Sequence, residues 1–230
     1  MDVQSPAGGR RLGFFFTAPS STHVMAYQPK DVFYRRAKKE GYRSRAAYKL
    51  LELNRRFHLI RTGDRVVDLG ASPGGWLQVA SQLAGKKGRV LGVDIQSIEP
   101  LKEENVLVLH GDVTSEECQE KIMALLGSQA DCVLSDLSPH LSGIHDADVS
   151  RSVELVRSAL RIASQLLRPG GNFLVKSFVG EELNVLSSEL KRHFRSLQRA
   201  RPESTRKGSS ELYFCGQGFK KEAGFSFDPS

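Results

Sequence analysis

Asp68, Asp94, Asp112 and Asp136 each stand at or just beyond the end of a short apolar run: RVVDLG (65–70), RVLGVDI (89–95), VLVLHGD (106–112) and DCVLSDL (131–137). One such Asp commonly caps a turn; four in succession set out carboxylates able to recognise hydroxyl and amino groups. The first run leads into a glycine-dense turn, VVDLGASPGGWLQVA over 66–80, of the kind that lets backbone approach a ligand closely. A dinucleotide site wants G-x-G-x-x-G, whereas this string is Gly70-Ala71-Ser72-Pro73-Gly74-Gly75. Ser72 replaces the second glycine and the proline removes an N–H, which makes a poor pyrophosphate cradle. The turn suits a ligand that lays a carboxylate and a cation against it. Asp94, 20 residues beyond Gly74, is spaced for the two hydroxyls of a ribose, and Asp112 could accept from an adenine amino group. An amino-acid end, a ribose and an adenine without phosphates describe S-adenosylmethionine. Lys176 interrupts NFLVKSF (172–178), a run that reads as buried on both faces, where a lysine is unusual unless paired.

These residues need a scaffold that brings strand ends together. Two further β-type runs, NFLVKSF and LYFCGQG (212–218), follow the four above, and helix-like stretches at 75–84, 115–127, 149–168 and 181–194 lie between most of the six. Arg168-Pro169-Gly170-Gly171 reads as a helix stop. The alternation predicts an α/β fold with a mostly parallel, doubly wound sheet that binds ligands at the C-terminal ends of its strands. Ahead of it, residues 31–59 read as helices, with Ser44 as an N-cap and Ala47, Leu50, Leu51 and Leu53 as a buried stripe.

Charge sits in one place. The chain carries +7, and between Lys30 and Arg61 eleven Lys/Arg face three acids, a net of +8, so the remainder sums to −1. A basic excess confined to 32 residues is the footprint expected for a polyanion. A second basic segment, KRHFRSLQRARPESTRKGSS over 191–210, could flank the same groove. Neither has a strong apolar face, so RNA or DNA fits better than a membrane. No apolar run approaches the roughly 18 residues of a membrane span. Cys118, Cys132 and Cys215, odd in number and widely spaced, argue for reduced thiols in a cytoplasmic compartment. The six histidines show no ligand spacing, so nothing requires a metal. Residues 1–26 read as a disordered extension, although a transit peptide or an internal start at Met25 would also fit; 27–221 read as one domain and 222–230 as a tail.

The chain from Tyr27 to Lys220 resembles the FtsJ-like (RrmJ-like) RNA 2′-O-ribose methyltransferases. The strings carrying the resemblance are YRSRAAYKLLEL (42–53), VVDLGASPGGWLQV (66–79), LGVDI (91–95), GDVT (111–114), SDLSPHLSG (135–143), PGGNFLVKSFVGE (169–181) and STRKGSSELYFCGQG (204–218). Leu137-Ser138 departs from the family's common Met-Ala. The resemblance implies a Rossmann-like methyltransferase fold with a seven-stranded sheet, and a catalytic tetrad at Lys49, Asp136, Lys176 and Glu211. It implies a cofactor pocket of Gly74, Trp76, Asp94, Asp112 and Asp136, although a core role for the Trp76 ring fits as well. Arg35, Arg36, Lys38, Lys39, Arg43 and Arg45 are the expected RNA contacts. DLSP at Asp136 lacks the tyrosine of the D/N-P-P-Y arrangement that serves exocyclic base amines, which points to ribose chemistry. Lys176 would handle the hydroxyl proton, as a general base or as a cation stabilising an alkoxide. The substrate implied is a uridine of large-subunit ribosomal RNA, methylated by a monomer; transfer RNA methylation, or a non-catalytic role in ribosome assembly, is the alternative.

Overall fold

The computed structural model describes residues 32–139 and 142–221; the expected N-terminal extension and C-terminal tail lie outside them. Two helices, α1 (Val32–Glu40) and α2 (Ala47–Phe57), precede β1 (Arg65–Leu69), α3 (Gly75–Ala84), β2 (Arg89–Asp94), β3 (Val106–His110), α4 (Glu116–Leu126), β4 (Ala130–Ser135), α5 (His145–Leu166), β5 (Leu167–Phe178), α6 (Leu183–His193), β6 (Phe194–Ala200) and β7 (Glu211–Phe219). Among the described residues the strands form one sheet in the order β3-β2-β1-β4-β5-β7-β6. The first five are parallel, and β7 runs antiparallel to both β5 and β6.

Strand alternation divides the core into two layers. Val67, Leu69, Leu91, Val133, Phe173 and Val175 face the layer that includes α4, α5 and α6. Val66, Val90, Leu134, Leu174, Tyr213 and Cys215 face Leu50, Leu53 and Phe57 of α2 and Trp76, Leu77 and Val79 of α3. The chain winds outward in both directions from β1, so strand order reverses between β1 and β4. That is where an open α/β sheet leaves a crevice at its C-terminal edge.

All six expected strands form, and a seventh was not apparent as a strand in the sequence. β6 lies inside the second basic segment, where Arg195, Ser196, Gln198 and Arg199 mask any period-2 signal. It is fixed by pairing with β7 and by Phe194, which stacks on Phe173 with ring centroids 5.8 Å apart. Ser44 does not cap α2. The helix starts after a turn in which the Ala47 N–H donates to the Ser44 carbonyl, and Ser44 packs against Gly75 instead. α5 starts earlier than expected, at His145, and ends at Leu166. The Pro169-Gly170-Gly171 stop is absorbed as an irregularity in β5: Leu167 pairs with Ala130 and Asn172 with Cys132. Phe194→Ala is expected to cost about 3–5 kcal/mol in urea unfolding, the usual range for deleting a buried aromatic. A loss below about 1 kcal/mol would mean that β6 is not anchored through the core.

Candidate active site

Side-chain parity along the strands assembles the site. Lys176 follows Leu174 by two residues on β5 and stands opposite Tyr213 of β7, so both face the α2–α3 layer. Glu211, two residues before Tyr213, shares that face, and Asp136 follows Leu134 by two just beyond β4. α2 packs over the same layer through Leu50 and Leu53, which carries the neighbouring Lys49 to Glu211 at the start of β7.

The result is an unbroken polar chain. Lys49 Nζ donates to Glu211 Oε1 at 2.5 Å, with only 11% and 13% of the two side chains exposed. The Tyr213 hydroxyl lies 2.7 Å from Glu211 Oε1 and 2.9 Å from Asp136 Oδ1. Lys176 Nζ donates to the Asp136 carbonyl at 2.7 Å and sits 3.1 Å from its Oδ1. Burial alone would raise the Glu211 carboxyl, but the Lys49 ammonium, with hydrogen bonds from Lys49 and Tyr213, holds it below the usual range. Burial, the Asp136 and Glu211 charges and those hydrogen bonds push the Tyr213 phenol well above its ordinary value. Tyr213 therefore stays a neutral donor. It carries one proton between two carboxylates, so it donates to one at a time. Sequence reasoning missed it; the available signal was its place two residues from Glu211, on the same strand face.

The cofactor side is built around the glycine turn. Gly70 and Gly74 have φ of 79° and 105°, a region open to glycine at little cost. A Cβ at Gly70 would also fall 2.6 Å from Leu137 Cδ2. Asp94 Oδ2 accepts from the Ser72 N–H at 2.9 Å and Oδ1 from the Gln96 N–H at 2.7 Å. Asp112 Oδ1 accepts from the N–H and hydroxyl of Thr114, bonds that hold the exposed carboxyl below its usual range. Trp76 is 3% exposed; its ring N–H donates to the Ala46 carbonyl and the ring packs on Tyr213 at 5.9 Å. It is a core tryptophan. Asp68, a strand-end carboxylate not assigned to the pocket from sequence, is 1% exposed, and neither oxygen has a hydrogen-bond partner among the described residues. Burial, then Asp136 and Asp94, push its carboxyl well above the ordinary range. A glycine turn interrupted by Pro73, an orphaned carboxyl behind it and Asp94 beside it fit S-adenosylmethionine.

The expected RNA contacts divide. Arg35, Arg36, Lys38 and Lys39 are exposed on α1; Arg36 pairs with Glu40 at 2.8 Å. Arg45 donates to the Ser204 carbonyl, and the Glu203 N–H donates to Glu52 of α2, at 2.8 Å to its nearer oxygen, so the two basic segments meet. Arg43 points the other way. Its guanidinium donates to the carbonyls of Pro73, Glu99 and Pro100, so three of its five donors are engaged within the protein.

The strand order, the crevice between β1 and β4 and the glycine turn with Asp94 define a Rossmann-like, S-adenosylmethionine-dependent methyltransferase. The FtsJ-like methyltransferase family matches residues 42–219, and the chain belongs to that family. The ribosomal RNA large subunit methyltransferase E of Methanothrix thermoacetophila is 55% identical over 193 residues, covering 84% of this chain and 74% of that protein. The enzyme of the same name from Archaeoglobus fulgidus is 51% identical over 192 residues, covering 84% and 97%. A Plasmodium falciparum crystal structure described as a ribosomal RNA methyltransferase has a TM-score of 0.70 at 28% identity, over 77% of this chain and 98% of that one.

Asp68→Asn tests the buried carboxyl. A raised native pKa means that the folded state holds a proton the unfolded state releases, so wild-type stability falls relative to the variant as pH rises above about 4. Urea unfolding is expected to show the difference moving in favour of Asp68→Asn between about pH 4 and pH 7 and levelling out below about pH 3. Parallel pH profiles would exclude a neutral buried Asp68.

Proposed function

We propose that this RNA methyltransferase acts as a monomer in the cytoplasm and methylates a ribose 2′-oxygen, at a uridine of large-subunit ribosomal RNA. The observation that carries this reading is the chain Lys49–Glu211–Tyr213–Asp136–Lys176, set at the C-terminal edge of the sheet between the glycine turn and the basic helices. The names of the relatives support the ribosomal RNA substrate. Among the described residues no helix is long and apolar enough to cross a membrane.

Bound S-adenosylmethionine supplies a methyl group that is already electrophilic. The chain's task is to align a ribose hydroxyl with it and to take up one proton. Gly74 and Trp76 would hold the amino-acid end, Asp94 the ribose hydroxyls, and the second oxygen of Asp112 the adenine amino group. Lys176 carries the proton step. Nζ donates to the Asp136 carbonyl and is ion-paired with Oδ1, which leaves capacity on Nζ for the ribose oxygen. There Nζ serves the ribose oxygen as a general base for its proton or as a cation beside the developing alkoxide. Lys49, fixed by Glu211, adds positive potential beside the developing alkoxide. Arg35, Arg36, Lys38, Lys39 and Arg45 contact the RNA phosphates.

The test is transfer of labelled methyl to isolated large ribosomal subunits and to total RNA, with the label mapped by nuclease digestion. Wild type is expected to label a ribose. Lys176→Ala is expected to lose about 100-fold or more of the rate, with RNA affinity retained. Lys176→Arg, which keeps the cation but cannot give up its proton, is expected to be equally slow; near-wild-type rates for it would assign Lys176 an electrostatic role. Wild type that binds RNA and transfers nothing would sink the enzymatic reading.

A further inference from the structure

We propose that Arg43 is a positioning residue for the cofactor turn, although it stands in the most basic part of the sequence. Its guanidinium reaches three carbonyls on two segments: Nη1 donates to Pro73 at 3.1 Å and Glu99 at 2.6 Å, and Nη2 to Pro100 at 2.6 Å. Its own N–H donates to Gln78 Oε1 on α3 at 2.8 Å, and Gln78 Nε2 donates back to the Gly41 carbonyl at 3.1 Å. The side chain packs against Gly74. A Cβ built on Gly74 would come within 3.1 Å of Arg43 Nη1 and 3.2 Å of its Cδ, with Leu101 Cδ1 at 3.5 Å. Next to it, a Cβ on Gly75 would fall 2.3 Å from Ser44 Oγ.

The turn is thus held from two sides. Asp94 at the end of β2 takes the Ser72 N–H, while Arg43 takes the carbonyl of the next residue, Pro73, and ties it to residues 99–100 beyond β2. A planar fork with several fixed donors can satisfy three carbonyls at once; a single ammonium cannot hold the same geometry. Arg43 is therefore expected to set the cofactor affinity of the free protein, whereas the cations of α1 set its RNA affinity.

The proposal rests on the S-adenosylmethionine reading, so calorimetric titration of wild type comes first; failure to bind would overturn that reading and not the role of Arg43. Arg43→Gln is expected to weaken S-adenosylmethionine binding about tenfold or more in the absence of RNA, and Arg43→Lys by a smaller but measurable factor. Affinity for a labelled ribosomal RNA transcript, and its slope against log salt, should stay at the wild-type value in both. Lys39→Ala should do the reverse, lowering the slope by about one while leaving cofactor affinity unchanged. Emission from Trp76, the single tryptophan, reports whether the α2–α3 packing survives each change. If Arg43→Gln does not fold, Arg43→Lys decides. Wild-type cofactor affinity in the folded variants, or a salt slope lowered by about one, would overturn the proposal.

Discussion

A buried ammonium needs a carboxylate, and the site is organised around meeting that need twice. Lys176 is 8% exposed near the end of an apolar strand, where an unpaired charge would cost several kcal/mol. Asp136 meets it, Tyr213 ties Asp136 to Glu211, and Glu211 meets Lys49. Positive, negative, neutral donor, negative and positive groups alternate along one strip, so no neighbours of like sign touch. Removing either carboxylate would strand a lysine, and removing Tyr213 would leave two carboxylates facing each other without a bridging donor.

This constraint explains the unusual edge of the sheet. The parallel strands β1, β2, β4 and β5 deliver Asp68, Asp94, Asp136 and Lys176 at or near their C-terminal ends, where the crevice lies. A further parallel strand could not present Glu211 at the same end from its first residue. Because β7 runs antiparallel to β5, its start meets the end of β5, with Glu211 opposite Phe178 and Tyr213 opposite Lys176. β6 in turn covers the far side of β7.

The helices ahead of the sheet serve both surfaces. α2 buries Leu50, Leu53 and Phe57 on the sheet and thereby sets Lys49 beside Glu211. Its flank gathers the loop after β6 through Glu52 and Arg45, which turns two distant basic segments into one cationic margin. The junction before α2 grips the cofactor turn through Arg43, Ser44 and the Ala46 carbonyl. The grip on the glycine turn, Lys49 and the basic margin therefore belong to one stretch, from Arg35 on α1 to Glu52 on α2.

Much of this was legible before any coordinates, because it follows from local pattern. The strand–helix alternation fixes a doubly wound sheet, the C-terminal rule locates its working edge, and the proline in the glycine turn argues against a pyrophosphate. The motifs named the four tetrad residues, which the fold brings together. What the sequence left undecided depends on long-range packing. β6 has no clear alternation, and only its pairing with β7 makes it a strand. Tyr213 reads as one more aromatic in a core strand until register sets it between two carboxylates. Arg43 and Arg45 look equivalent as letters, yet one faces the cofactor turn and the other the loop after β6. Residue type sets what a side chain can do; the register of strands and the docking of α2 set which partner it meets, and those are properties of the whole sheet.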